Sequence, residues 1–321
     1  MDNLENLSVH VKSAPFRTDI QGLRALAVLA VVLFHLPAGI APNGFVGVDV
    51  FFVISGYVIT ASTWRIESAN PISFLSSFFR KRLARLIPAL FVCLTLTELG
   101  LLILQPPGNA KLQAIQTGLF AFSGTSNLFL LEILNDYWFE GLRLNPFVHT
   151  WSLGVEFQFY FVFPFLFLAF LKIFGHRIHP AIWTAPLIVI IIFSVYLFLA
   201  APIGSLKAFY LPHYRFWEFL LGVGAYAISV HLYEADVPQT SIARVGLALQ
   251  KYAPTLLLIA VFFSDPDFLP QEIAVVAACL LSAMLIIINT RNRWFGLDCY
   301  LEHCSSKLAT HLTPYIFSTG R

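Results

Sequence analysis

The sequence predicts an all-α, polytopic transmembrane helical bundle, and three observations lead there. Hydrophobic residues make up 58% of the 321-residue chain, charged residues only 12%, and mean hydropathy is +0.75. A soluble domain is about 25% charged. Runs such as LIPALFVCLTLTELGLLIL and FYFVFPFLFLAFLKIF suit the ~20 residues that cross a hydrocarbon core of about 30 Å. These runs do not alternate in polarity, which argues against an outer-membrane barrel. In lipid the backbone must satisfy its own hydrogen bonds, so they are expected to be helices.

The first segment, MDNLENLSVHVKSAPFRTD, is polar and mixed in charge with no apolar stretch near its start. A cleaved signal peptide is not expected, and the first apolar run reads as a retained span. Apolar runs bounded by polar or Pro/Gly punctuation then give about nine spans. They fall at roughly 22–38, 44–62, 84–104, 112–131, 152–173, 182–202, 214–231, 252–266 and 271–290. Arg80, Lys81, Arg82 and Arg85 crowd the third span, so the loop from about 63 to 85 and the N-terminus, with Lys12, Arg17 and Arg24, are expected on the cytoplasmic side. Lys172, Arg177, Arg244, Lys251, Arg291 and Arg293 favour the same side, which places the 132–150 loop outside. Two full crossings after residue 85 would contradict that, so one segment between 105 and 150 is expected to be re-entrant or only partly inserted. Residues 1–290 read as one transmembrane domain. The 291–321 tail is mixed in polarity and holds no convincing span.

Cys93 and Cys279 lie in apolar runs and read as small core residues. Cys299, His303 and Cys304 lack the second pair a zinc site needs. No metal is expected, and no glycine-rich nucleotide loop or nucleic-acid-binding stripe appears.

The stretch RALAVLAVVLFH puts Arg24 and His35 eleven residues apart. That is close to three helical turns, so the two share a face, about 16 Å apart along the axis. Titratable groups at such depth usually face a bundle interior or a wet cavity. A snorkelling arginine and an interfacial histidine would explain the pair equally well. Asp49 follows across a short Pro/Gly turn, where it could fix the His35 imidazole tautomer or serve as a helix-end residue. Ser55 lies on that same second span. In HTWSLGVEFQFY, His149, Ser152, Glu156 and Tyr160 form one helical stripe, a protein- or water-lined face. A Ser152-centred nucleophile is disfavoured, because residues of one straight helix rarely converge on a reacting atom. Trp217 and Glu218 read as a second polar point at a cavity or as an interfacial anchor.

Four blocks, RTDIQGLRALAVLAVVLFH, GFVGVDVFFVISGYVIT, FFRKRLARLIPAL and NPFVHTWSLGVEFQFYFVFP, occur in an order that resembles the membrane-bound acyltransferase family 3. That family comprises O-acyltransferases modifying bacterial surface polysaccharides. The family's Arg/Lys–ten residues–His pattern falls on Arg24 and His35, and its Arg-x-x-Arg on Arg82 and Arg85. YRFWEFLLGVGA is a weaker fifth match. The likeness runs from about residue 16 to 226. The family's usual ten-helix core ends in a block like ISYSLYLWHWP; this chain continues instead as RNRWFGLDCYLEHCSSKLATHLTPYIFSTGR, so a missing tenth helix is expected.

The resemblance implies transfer of an acyl group, most often acetyl, from cytosolic acyl-CoA to a hydroxyl of an extracytoplasmic carbohydrate such as lipopolysaccharide or exopolysaccharide. The setting is the bacterial inner membrane, with the bilayer as solvent. His35 is the expected base, with Asp49 beside it. Arg24, Arg82 and Arg85 are expected to meet the donor's phosphates, Arg82 and Arg85 doubling as a positive-inside anchor. His149, Ser152, Glu156, Tyr160 and Glu218 are expected to line the acceptor side. Acyl-CoA would act as cosubstrate, with no tightly bound cofactor. A transporter also places charges inside the membrane, but its polar residues would be spread over corresponding halves, whereas here they crowd the first half. A truncated, inactive relative is the third reading.

Overall fold

The computed structural model describes residues 17–37, 39–64, 70–134, 145–174, 181–202, 204–234 and 241–289. The Cys299/His303/Cys304 group and the 291–321 tail lie outside them. All regular structure among the described residues is helical. In chain order the helices are α1 (Thr18–His35), α2 (Gly47–Thr63), α3 (Pro71–Leu104), α4 (Asn109–Phe122), α5 (Ser126–Leu134) and α6 (Trp151–Phe174). They continue as α7 (Ala181–Ala200), α8 (Leu206–Tyr210), α9 (Phe216–Glu234), α10 (Ser241–Phe263) and α11 (Gln271–Asn289). Among the described residues five segments are long and apolar enough to cross a membrane: α1, Gly44–Thr63, α3, Val148–Phe170 and α11. Shorter apolar stretches lie in α7, α9 and α10. The chain is a multi-pass, all-α membrane protein.

Two expected boundaries shift. The third span begins at Pro71, not near 84, so much of the expected 63–85 loop is helix. Asn70 caps it by accepting from the Ile72 amide at 2.9 Å, with Pro71 at the first helical position. The polar SSFFRKR stretch hid this helix from a reading based on apolar runs. Cys93, expected in the core, is exposed on the same helix.

The expected span at 112–131 is two helices. Gly124, with φ +74°, breaks it, leaving α4 with 14 residues and α5 with nine. At 1.5 Å per residue these reach about 21 and 14 Å, short of a crossing. The chain reverses at the break, so that Phe120 stacks on Phe129 with centroids 4.5 Å apart. The Gly124 carbonyl accepts from Gln158 Nε2 of α6 at 3.1 Å. The result is a short helical hairpin whose tip is hydrogen-bonded within the protein, and neither arm is long enough to cross a membrane.

At the centre lies α2. Any Cβ at Gly56 would collide with the Phe219 carbonyl of α9, and one at Gly222 with the Val53 carbonyl of α2. The two backbones therefore touch, as small residues permit in lipid. Gly44 and Gly47 meet the carbonyls of Ala30 and Ala27 on α1 in the same way. Phe219 is also the middle ring of a stack, 4.6 Å from Phe52 of α2 and 4.3 Å from Phe159 of α6. Arg17 ties the ends of α1, α2 and α11 together, donating to Asp19 at 2.5 Å, to the Tyr57 hydroxyl at 2.6 Å and to the Ile286 carbonyl of α11. On the other side Asn43, fully buried, donates to Ser264 Oγ at 3.0 Å and joins the α1–α2 turn to the α10–α11 turn.

Candidate functional site

A cavity of about 830 Å³ opens between α1, α2, α3 and α6, within the size range of ligand pockets. Arg24, His35, Asp49, Arg82, Arg85, His149, Ser152, Glu156 and Tyr160, all singled out in the sequence, line it. Glu218 does not.

His35 is the last residue of α1 and is exposed to this space. Its Nδ1 lies 2.8 Å from the Val31 carbonyl. A carbonyl only accepts, so Nδ1 carries the hydrogen and the neutral ring presents Nε2 as an unprotonated acceptor. His149 sits edge-on to it, centroids 4.9 Å apart. The stripe reading misplaces His149 slightly: it belongs to a 3-10 turn, Val148–Thr150, that leads into α6. Ser152 Oγ donates to the His149 backbone carbonyl at 3.3 Å, not to an imidazole.

Glu156 is the polar centre of the cavity. It accepts from Ser55 of α2 at 2.6 Å and from the Tyr160 hydroxyl one turn further on. Arg82 lies 5.5 Å over the Tyr160 ring and donates to Ser62 Oγ and to the Val58 carbonyl at 3.3 Å. Its guanidinium is thus clasped between α2 and α6. Arg24 and Arg85 differ. Both line the cavity, yet among the described residues neither makes a hydrogen bond or ion pair. Three guanidiniums face one carboxylate here, a surplus of positive charge that an anion would neutralise.

The expectation that Asp49 holds the His35 ring is corrected. Asp49 is buried and accepts from Arg215 at 2.6 Å, while Val31 supplies the partner to His35. Sequence proximity suggested the wrong pair, because the true partner is 166 residues away. Glu218 is corrected too: it is fully buried and accepts from the same Arg215 nitrogen at 2.9 Å. Arg215 also donates to the Phe209 carbonyl at 3.2 Å and lies within 5.5 Å of the Trp151, Phe198 and Phe209 rings. Sequence reading passed over Arg215. Its spacing of three from Glu218 at a helix start was the available signal.

Fold and cavity together describe a multi-pass membrane protein in which several arginines and two histidines line one cavity. The acyltransferase domain model of acyltransferase family 3 matches residues 17–313. The chain belongs to that family. A putative membrane-bound transacylase, BcsY of Komagataeibacter xylinus, is 36% identical over 211 residues, covering 64% of this chain and 50% of that protein. The peptidoglycan O-acetyltransferase OatA of Listeria monocytogenes is 36% identical over 161 residues, 50% of this chain and 25% of its own. The O-acetyltransferase OatA of Staphylococcus aureus is 38% identical over 167 residues, 50% of this chain and 26% of its own. The chain therefore spans half the length of the first relative and about a quarter of the other two. No solved structure matches.

Proposed function

We propose that this protein is an inner-membrane O-acyltransferase that moves an acyl group from cytosolic acyl-CoA to a hydroxyl of an extracytoplasmic carbohydrate. The observation that carries the reading is the shared cavity, in which uncommitted Arg24 and Arg85 and the exposed Nε2 side of His35 face the same space. The names of the relatives, transacylase and O-acetyltransferase, support it.

The donor's phosphates bind Arg24 and Arg85, whose planar, fork-shaped guanidiniums suit phosphate oxygens. The acceptor hydroxyl meets His35, which takes its proton on Nε2 as the oxygen attacks the thioester carbon. The carbon–sulfur bond then breaks, and the departing CoA thiolate receives the proton from the imidazolium. His149 and Ser152 line the acceptor's side of the cavity, and Glu156, held by Ser55 and Tyr160, is placed to accept from its hydroxyls. Acyl-CoA is a cosubstrate, and the chemistry asks for no tightly bound group.

Labelled acetyl-CoA, membranes containing the protein and an envelope glycan extract test the reading. Ester label on carbohydrate with wild type, and none with His35→Ala, is expected. Label that persists in the variant removes His35 from the chemistry. No acyl-CoA consumption by folded wild type refutes the activity itself.

A further inference from the structure

Acyl transfer puts negative charge on the carbonyl oxygen of the group being moved, and a hydrogen-bond donor aimed at that oxygen is a large part of the catalysis of such reactions. His35 cannot supply it. Its Nδ1 hydrogen goes to the Val31 carbonyl, and its Nε2 is an acceptor. The arginines stand at the other end of the cavity: Arg24 is about 16 Å back along α1, and Arg82 lies over Tyr160, eleven residues on from His149. Most other donors around the cavity are spent inside the protein. Ser55 and Tyr160 donate to Glu156, Ser152 to the His149 carbonyl, and Arg215 to Asp49, Glu218 and Phe209.

Three lining residues, His149, Trp151 and Tyr210, have side chains that make no hydrogen bond among the described residues. Trp151 and Tyr210 pack against each other and against Phe209. His149 packs against the base: its ring centroid is 4.9 Å from that of His35, with the ring planes at 84°. A reacting centre has to lie about 3 Å from both the attacking group and the oxyanion donor, and a thioester seated against the edges of both rings has that reach to each. Resting on the acyltransferase reading, we propose that His149 is a second catalytic residue, whose neutral imidazole donates its N–H to the thioester carbonyl oxygen while His35 takes the acceptor's proton. As the new carbon–oxygen bond forms, the carbonyl π pair moves onto that oxygen and the hydrogen bond from His149 strengthens. When the carbonyl re-forms, the carbon–sulfur bond breaks and the thiolate takes the proton held by His35. His149 keeps its own proton throughout, the electrophilic role that a neutral imidazole can fill. Its backbone is fixed independently of the ring, by Ser152 on the His149 carbonyl at 3.3 Å and Thr150 on the Phe147 carbonyl at 2.6 Å.

Transfer from labelled acetyl-CoA to an envelope glycan extract is measured in membranes for wild type, His149→Ala, His149→Gln, His149→Asn and Tyr210→Phe, with the thermal melt of each. His149→Ala is expected to lower kcat by about a hundredfold or more, while KM for acetyl-CoA and for glycan stays within about threefold. Gln or Asn, whose amides keep an N–H, is expected to recover at least about tenfold of that loss. The rise of rate with pH that a histidine base imposes should persist in His149→Gln, because His35 is intact. A raised KM for glycan with kcat kept makes His149 an acceptor-binding residue and overturns the proposal. Equal losses in the Ala, Gln and Asn variants overturn it too, as does a pH profile that flattens in His149→Gln, which would make His149 the base. A kcat loss in Tyr210→Phe with none in His149→Ala hands the role to the phenol. Each of these results leaves the acyltransferase reading standing; failure of wild type to transfer acetyl removes that reading, and this inference with it.

Discussion

Around Arg215 the cation is enclosed by its partners, whereas around Arg24 and Arg85 positive charge is left over. Both groups border one cavity, and α2 contributes to each through Asp49 and Ser55. In the first, a guanidinium fully inside the protein meets Asp49 and Glu218, whose side chains are 2% and 0% exposed. In the second, Glu156 is occupied by Ser55 and Tyr160, and two arginines have no hydrogen bond among the described residues. A buried charge that loses its partner is costly, so a closed cluster joins helices and resists substitution. An open cluster contributes little to stability and keeps its interactions for a ligand. Polarity inside a membrane is therefore not by itself a mark of chemistry; the unfilled valence is.

Substitutions can break this contrast, and the largest effect is expected at the open end. His35→Ala should lower acyl transfer by about a thousandfold, the usual worth of a positioned base, with the thermal melt in detergent unchanged. A melt that collapsed along with activity would move His35 to the structural class. Arg215→Met should act in reverse, destabilising the fold by roughly 3–5 kcal/mol because two buried carboxyls lose their cation. Adding Glu218→Gln should recover part of that loss, and the melting temperatures of the single and double variants check it. Arg85→Gln should raise the KM for acyl-CoA about tenfold with little change in kcat, as expected for a contact made equally in ground and transition states. An unchanged KM would make Arg85 a topology anchor only. The smallest effect is expected for Tyr160→Phe, which removes one of the two hydrogen bonds on Glu156 Oε1 and costs about 1 kcal/mol, read as a small drop in the melt.

Much of the open site was legible in the sequence: helical period puts Arg24 with His35, and Glu156 with Tyr160, on shared faces, and the family resemblance favours the cavity over the interfacial reading. The closed site was not. Asp49 pairs with a residue 166 positions away, a distance at which helical periodicity says nothing, and the nearby His35 was the natural wrong partner. Arg215 stands at the entrance to α9, where an arginine reads as an interfacial anchor until the fold encloses it. The hairpin tip at Gly124 was hidden for a related reason: the α4 and α5 sequences are apolar enough to pass for one span, and only the left-handed glycine divides them. The long start of α3 was lost because its charges masked its helical continuity.

The cavity that runs from Arg24 to His35 extends about 16 Å along α1, so roughly half of the ~30 Å hydrocarbon barrier is replaced by a space that water can enter. Such a thinning invites leakage, since the transmembrane voltage then falls across a short stretch of protein. The surplus guanidiniums stand in that stretch. Fixed positive charge raises the energy of any proton or sodium ion approaching it, as charged constrictions do in channels, while it attracts anions. The same three arginines thus allow a wide cavity inside the protein while its insulation against cations is kept.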